Sequence, residues 1–194
     1  MPKAPKLTRE RIVSVANAAL VAGGHEAVAL RGIARDLGVT APALYDHFDS
    51  RDDLLRALAE HGYAALTEAL EVDGPRPIDR IRQRALAYIE FASQHPELFR
   101  LMFLFRPAAV ELVDEDGAAV DNELGAATAA FDEGLADLSG AIADGDLVDR
   151  DVLQLAMITW TTTHGVATVA LTAPSVAAAV AEDVIDTMLA GLRP

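Results

Sequence analysis

The sequence predicts an all-α protein of about nine helices. Apolar residues recur at three- and four-residue spacing through most of the 194 residues, which is typical of helices with one buried face. No segment alternates apolar and polar residues as a half-buried strand does. Hydrophobic residues make up 52% of the chain, so a sizeable core can form.

Two short helices around a tight turn are the most informative feature of the chain. Leu30–Leu37 has helical apolar spacing, and Gly38 follows where a left-handed residue ends a helix. Thr40 is a natural N-cap for a second helix, Ala41–His47, in which Pro42 suits the first turn. The pattern predicts a helix-turn-helix, the arrangement that lays a recognition helix in the DNA major groove.

Helices are also predicted on both sides of this motif. Thr8 can cap a first helix that ends at Gly23-Gly24. Asp49-Ser50 can cap a longer helix with leucines from Leu54 to Leu70, which stops before Gly74-Pro75. We interpret residues 1–50 as a helix-turn-helix domain and residues 51–73 as a connector.

Residues 74–194 are predicted to form a helical effector-binding and dimerisation domain. The apolar stripe that begins at Ile78 breaks at His95-Pro96, and an acidic loop lies near Asp114–Gly117. The helices expected after His95 are Pro96–Phe105, about Ala118–Ala143, Asp149–Leu171 with a cap at Asp149, and Ser175–Leu192.

Charge is distributed unevenly along the chain. The net charge is −14, yet residues 1–56 carry eight Lys or Arg and seven Asp or Glu. The acidic excess therefore lies entirely in the remainder. This asymmetry is typical of a chain whose N-terminal segment faces a polyanion.

A run of 30 residues, from Val152 to Ala181, contains no charged side chain. A membrane span is one interpretation of such a run. Gln154, His164, several threonines and Pro174 interrupt it, which favours a helix pair buried on most sides. We expect no membrane partner and a homodimer formed by the last two helices, at about residues 149–192.

The N-terminal part resembles the TetR family of bacterial transcription regulators over roughly residues 8–55. The residues that carry the resemblance are Ile33-Ala34, Leu37-Gly38-Val39-Thr40, Leu44-Tyr45, His47-Phe48 and, after Asp49-Ser50, Arg51 with Leu54. Trp160, His164 and Gly165 are similar to the W…HG signature of one C-terminal subclass. Ala29 departs from the family, which often has Ser or Thr as the cap before the second helix.

The resemblance implies a double-stranded DNA operator as a partner. Its implied DNA-binding residues are Thr40, Ala41, Pro42, Ala43, Leu44, Tyr45, His47, Arg51 and Arg31, with Lys3 and Lys6 as further candidates. The small residues can touch thymine methyl groups, and the polar ones can contact phosphates. For four of them other roles stay open: packing on the first helix for Tyr45, a surface or capping role for His47, an ion pair with Asp52 or Asp53 for Arg51, and core for Leu44.

The resemblance also implies a small-molecule effector, which we expect to be hydrophobic or aromatic. The candidate ligand-binding residues are Tyr88, Phe91, Met102, Phe103, Phe131, Met157, Trp160, Thr161 and His164, with Phe99 and Phe105 nearby in sequence. Ligand pockets are mostly apolar and contain a few polar groups. Plain core packing is the alternative for each aromatic residue.

The expected function is therefore a ligand-responsive regulator, a dimeric cytoplasmic repressor with no cofactor and no metal. An enzyme is one alternative, but no nucleophile motif, phosphate loop or metalloprotease motif is present. The acidic cluster Asp144, Asp146, Asp149 and Asp151 is better explained by a turn and a cap. A helical protein-interaction module that does not bind DNA is the other alternative.

Overall fold

The computed structural model describes residues 6–104 and 125–194, and these residues are almost entirely helical. The helices are α1 Arg9–Ala27, α2 Leu30–Leu37, α3 Ala41–Tyr45, α4 Arg51–Ala69, α5 Pro77–Gln94, α6 Pro96–Leu104, α7 Gly125–Ala143, α8 Val152–Ala170 and α9 Pro174–Gly191. No strand occurs in the described part of the chain. The predicted all-α fold of about nine helices is confirmed.

Several predicted helix boundaries are confirmed. The Thr8 side chain accepts a hydrogen bond from the Arg11 N–H at 3.3 Å, and the Ser50 hydroxyl accepts one from the Asp53 N–H at 3.1 Å. These are the bonds that N-caps make. Helix α5 ends at Gln94, directly before His95.

The predicted break at Gly23-Gly24 is present, because Gly23 (φ −157°) and Gly24 (φ 68°) are not helical, and a separate short turn continues to Ala27. Another boundary needs correction. Asp151, and not Asp149, caps α8, where its carboxylate accepts from the Gln154 N–H at 3.0 Å. The acidic loop near 114–117, Phe105, and the predicted first turns of α7 lie outside the described residues.

The described residues form two compact units. The first contains the chain through Tyr63 and the segment from Glu97 to Leu104, and the second contains Ala64–Pro96 and residues 125–194. Helix α4 contributes residues to both. The short helix α6 therefore belongs to the same unit as α1, α2, α3 and the first part of α4.

In the first unit, α6 lies unusually close to α4. A Cβ atom added at Gly62 would come within 2.8 Å of both Cγ and Sδ of Met102, so a larger residue here would require the Met102 side chain to move. Beside it, the buried Tyr63 hydroxyl donates to the Met102 carbonyl at 3.0 Å. That carbonyl belongs to the last described turn of α6.

In the second unit, arginines of α5 bind carboxylates of α7 and α9. Arg80 Nε and Arg84 Nη1 donate to the two carboxylate oxygens of Asp137 at 2.8 and 2.7 Å. Asp137 is only 5% exposed, and a buried carboxylate needs such cationic partners. On the α9 side, Arg82 donates to Asp186 at 2.5 Å, and this carboxylate raises the pKa of Arg82.

The uncharged run between Val152 and Ala181 folds as α8, the short connection after it and the beginning of α9. Within residues 6–104 and 125–194, none of the helices has both the length and the apolar content that crossing a membrane requires.

Candidate nucleic-acid interface

The corner between α2 and α3 is built from backbone hydrogen bonds. Gly38 has φ 71° and ψ 29°, which confirms the predicted left-handed residue. Its N–H donates to the Arg35 carbonyl at 3.1 Å, and the Val39 N–H donates to the Ala34 carbonyl at 2.9 Å. This is the Schellman pattern of helix termination. Ala29, at the N-cap of α2, makes no side-chain cap bond.

Helix α3 is shorter than expected and presents small residues. It ends at Tyr45, and a turn continues through His47. Thr40 occupies the N-cap position, but its side chain makes no cap hydrogen bond, which corrects the expected capping role. Thr40 and Pro42 are exposed, whereas the side chains of Ala41, Ala43 and His47 are partly buried.

Tyr45 is the large side chain that α3 presents to solvent. It is 53% exposed, so about half of its surface is available to a partner. An exposed phenol at the end of a recognition helix can donate to a phosphate oxygen. Arg31 and Lys6 are exposed as well, and Lys3 lies outside the described residues.

The structure corrects the assignment of Leu44 to the DNA interface. Leu44 has no exposed surface and belongs to the core of the first unit, together with Ile12, Leu54 and Phe48. Both the His47 and Phe48 N–H groups donate to its carbonyl. A side chain without exposed surface cannot touch a base, so Leu44 holds α3 in place from within.

Arg51 has an anchoring role that its sequence position does not reveal. Its Nε donates to the Val28 carbonyl at 2.8 Å, and its Nη2 donates to the His25 carbonyl at 2.5 Å. These carbonyls end the extra turn of α1. Neither Asp52 nor Asp53, the expected partners in the alternative, receives these bonds. Contact between Arg51 and phosphate stays a prediction.

Arg9 is a residue that the sequence reasoning missed. Its Nη1 donates to the His47 carbonyl at 2.6 Å, and its Nη2 lies 3.3 Å from Asp53 Oδ1. The guanidinium carbon also lies 4.0 Å from the centroid of the Phe48 ring, a cation–π geometry. The 38-residue separation from His47 explains why local patterns gave no signal.

Three of the candidate ligand-binding residues come together between α5 and α8. The Tyr88 hydroxyl lies 2.9 Å from His164 Nδ1, and the Trp160 and His164 rings stack with centroids 5.1 Å apart. Burial lowers the pKa of His164. Burial therefore favours the neutral imidazole, which has one donor and one acceptor nitrogen.

The other ligand candidates are dispersed. Met102 and Phe103 pack in the first unit with α4, Phe131 is partly buried, and Met157 and Thr161 are exposed. Phe91 contributes to an open groove of about 420 Å³. The other residues of this groove are Ala65, Glu68, Ala69, Ala87, Glu90, Gln94 and His95.

Thr163 is a second polar residue that the sequence reasoning missed. It is buried next to His164, and its hydroxyl has no hydrogen-bond partner. Other threonines of α8 donate to the carbonyl four residues earlier, as Thr159 and Thr168 do. An unpaired buried hydroxyl is costly, so Thr163 adds an available polar group to this part of α8.

Two family models match the chain, one in its N-terminal part and one in its C-terminal part. "Bacterial regulatory proteins, tetR family" matches residues 12–58, and "Tetracyclin repressor-like, C-terminal domain" matches residues 81–192. Together they cover most of the sequence. The chain belongs to the TetR family. This TetR-family protein is thus a ligand-responsive transcriptional regulator with a DNA-binding helix-turn-helix.

Solved structures share this TetR fold. A protein of unknown function from Rhodococcus sp. RHA1 is 30% identical, with full coverage of both chains and a TM-score of 0.79. The TetR family regulator PfmR from Thermus thermophilus is 23% identical over 95% of this chain and 100% of its own, with a TM-score of 0.61. A TetR variant from Acinetobacter baumannii AYE, in complex with minocycline, is 19% identical over 96% of each chain, with a TM-score of 0.67.

A curated relative matches part of the sequence. An uncharacterized HTH-type transcriptional regulator of Mycobacterium tuberculosis is 33% identical over 93 residues. The match covers 47% of this chain and 43% of the relative. The chain therefore aligns with less than half of that protein.

The position of Leu44 predicts that its truncation acts on stability. We expect Leu44→Ala to lower the free energy of unfolding by about 2–5 kcal/mol, because it leaves a cavity in the core. Urea unfolding followed by circular dichroism measures this loss. The matched control is Val21→Ala, since Val21 is 66% exposed, and its cost should stay within about 0.5 kcal/mol. Equal stability for both variants would place Leu44 outside the core.

Proposed function

We propose that this regulator is a dimeric repressor that binds a palindromic operator and releases it when a small hydrophobic or aromatic effector binds. The observation that carries the proposal is the helix-turn-helix corner at Gly38, after which α3 presents Tyr45 to solvent. Because such an operator lies in the bacterial chromosome, the proposed location of the protein is the cytoplasm. In this proposal the helix-turn-helix domain, residues 1–50, recognises the operator.

The proposed DNA contacts divide by chemistry. Tyr45, His47 and Arg31 contact phosphates, because they are polar or cationic and at least partly exposed. Ala41 and Ala43 face the bases together with Pro42. Such residues make apolar contacts with thymine methyl groups but no bidentate hydrogen bonds. Operator choice therefore depends strongly on DNA shape and on half-site spacing.

The proposed dimer interface lies on α8 and α9. Their exposed residues include Met157, Val169, Val176 and Val180, and no charged residue lies in the sequence between Met157 and Val180. Large exposed apolar residues grouped in this way are typical of subunit interfaces. A twofold copy then carries a second helix-turn-helix for the second half-site.

The proposed effector site includes Tyr88, Trp160 and His164. The aromatic rings supply apolar surface, while the neutral imidazole and the phenol supply hydrogen bonds. The effector acts only through its different affinity for the DNA-bound and free conformations. The minocycline complex of the Acinetobacter TetR variant supports an aromatic ligand for the general fold.

DNA binding is tested by measuring duplex affinity by fluorescence anisotropy between about 50 and 200 mM salt. We expect wild-type protein to retain mixed-sequence duplex at low salt. Arg31→Ala should reduce the slope of log K against log salt by about 0.9, the value for one lost phosphate contact. Tyr45→Phe should weaken binding at every salt concentration with the slope unchanged, because the lost donor is neutral.

The control for this experiment is Arg150→Ala. Arg150 is exposed in the second unit, and its loss should leave the slope unchanged. No retention of duplex by the wild-type protein would contradict the proposal and favour a protein-interaction module. Selection of bound duplexes from a random pool then identifies the operator, whose half-site centres should lie about 34 Å apart or at another groove-compatible spacing.

The dimer is tested by placing charge on the proposed interface. Val176→Glu with Val180→Glu should give a folded monomer in sedimentation equilibrium, because two buried carboxylates without partners oppose association. Val21→Glu is the matched control, since this exposed valine lies in the first unit. A double variant that still sediments as a dimer would move the interface away from α9.

Effector coupling is tested through Trp160, the one tryptophan of the sequence. A panel of small uncharged aromatic compounds, such as naphthalene derivatives, is titrated while Trp160 fluorescence and operator affinity are recorded. Compounds that change the fluorescence should weaken operator binding by about 5- to 150-fold, the usual range of allosteric coupling. A compound that binds tightly but leaves operator affinity unchanged would rule out this coupling.

A further inference from the structure

We propose that Arg9 positions the recognition helix α3 without contacting DNA. The inference rests on the DNA-binding function and assigns a role to a residue of α1, the helix before the helix-turn-helix. Arg9 contacts three groups, the His47 carbonyl, the Phe48 ring and the Asp53 carboxylate. We name Arg9, Phe48 and Asp53 the α1 latch.

The α1 latch acts on an element that needs outside support. Helix α3 has five residues, and so short a helix has no stability of its own in water. Its N-terminal side is fixed by the Gly38 corner. At its C-terminal side, the chain turns through His47 and Phe48, where the latch attaches.

The bond to His47 completes the hydrogen bonding of this turn. The carbonyl groups at a helix C-terminus lack helical N–H partners. Arg9 Nη1 supplies a charged donor to the His47 carbonyl at 2.6 Å, and such charge-assisted bonds are stronger than bonds between neutral groups. The guanidinium plane then covers Phe48, a residue with almost no exposed surface.

Asp53 connects the latch to the start of α4. Its Oδ1 pairs with Arg9, while its Oδ2 accepts from the Asp49 N–H at 3.1 Å. Its own N–H donates to the Ser50 hydroxyl, so Asp53 bonds both the cap residue of α4 and the residue before it. One carboxylate therefore holds both the loop after α3 and the guanidinium from α1.

The same pairing opposes a direct role in phosphate binding. The carboxylate of Asp53 offsets the charge of Arg9, and Nη1 and Nη2 already have protein acceptors. A lysine keeps the charge but has neither the planar fork nor the flat face that stacks on an aromatic ring. Substitution of Arg9 by lysine therefore tests the geometry of the side chain while its charge is kept.

The experiment compares Arg9→Lys with Arg9→Gln on the operator selected from the random pool and on a mixed-sequence duplex of equal length. We expect Arg9→Lys to weaken operator binding about tenfold, with the salt slope of the wild type and nearly unchanged binding to the mixed duplex. Arg35→Lys is the matched control, since Arg35 is an exposed residue of α2 and keeps its charge.

Hydrogen exchange in the absence of DNA tests the α1 latch independently of DNA binding. Hydrogen exchange of residues 44–53 should be severalfold faster in Arg9→Lys than in wild type, because the turn opens more often. Asp53→Asn, which loses the ion pair but keeps an acceptor oxygen, should show the same change. The double variant Arg9→Lys with Asp53→Asn should show less than the sum of the two single effects.

Two results would overturn the proposal. If Arg9→Lys keeps full operator affinity while Arg9→Gln lowers the salt slope by about 0.9, Arg9 contacts a phosphate. If neither affinity nor hydrogen exchange changes in any of these variants, the α1 latch does not position α3. Failure of the wild-type protein to bind either duplex would instead overturn the DNA-binding function, while the exchange data still report on the latch.

Discussion

Helix α3 is too short to hold its own conformation, and the organisation of the first unit follows from this constraint. A five-residue helix forms less than two turns, so its backbone must be fixed from outside. Leu44 does this from the core, and the Gly38 corner does it at the entrance. Arg9 and Asp53 hold the exit. Most residues of the helix-turn-helix therefore fix the position of α3, and few side chains remain to contact the bases.

The strongly acidic composition is compatible with DNA binding because the acidic excess lies outside residues 1–56. In the second unit, Arg80 and Arg84 neutralise the buried Asp137, and Arg82 binds Asp186. Arginine suits these sites since its fork donates to two acceptors at once. The body keeps its negative charge and is repelled by the phosphate backbone, so the N-terminal segment is the part that meets DNA.

The family signature has a physical explanation in this chain. Gly38 is needed for the left-handed corner, and Phe48 forms the base on which the Arg9 guanidinium stacks. Ser50 and Asp53 cap α4 and orient the latch together. In the C-terminal part, Trp160 and His164 stand one turn apart and stack, and His164 faces Tyr88 of α5. These residues of the signature thus fix local geometry.

Local patterns in the sequence were sufficient for the helices and for the corner at Gly38. Helical periodicity, caps and breakers act over a few residues, so they can be recognised without the fold. Errors occurred where two local solutions compete. Asp149 and Asp151 are both acceptable caps for α8, and the structure uses Asp151. Leu44 was equally suited to core and groove until its neighbours were known.

The sequence alone determined the helical class, the helix-turn-helix and the TetR resemblance, because these depend on residue spacing within one or two turns. Only the tertiary structure decided that Leu44 is buried, that Arg51 binds the end of α1, and that Arg9 holds the turn after α3. These contacts join residues separated by 23 to 44 positions. A side chain's partner at that distance is set by how helices pack, which periodicity does not encode.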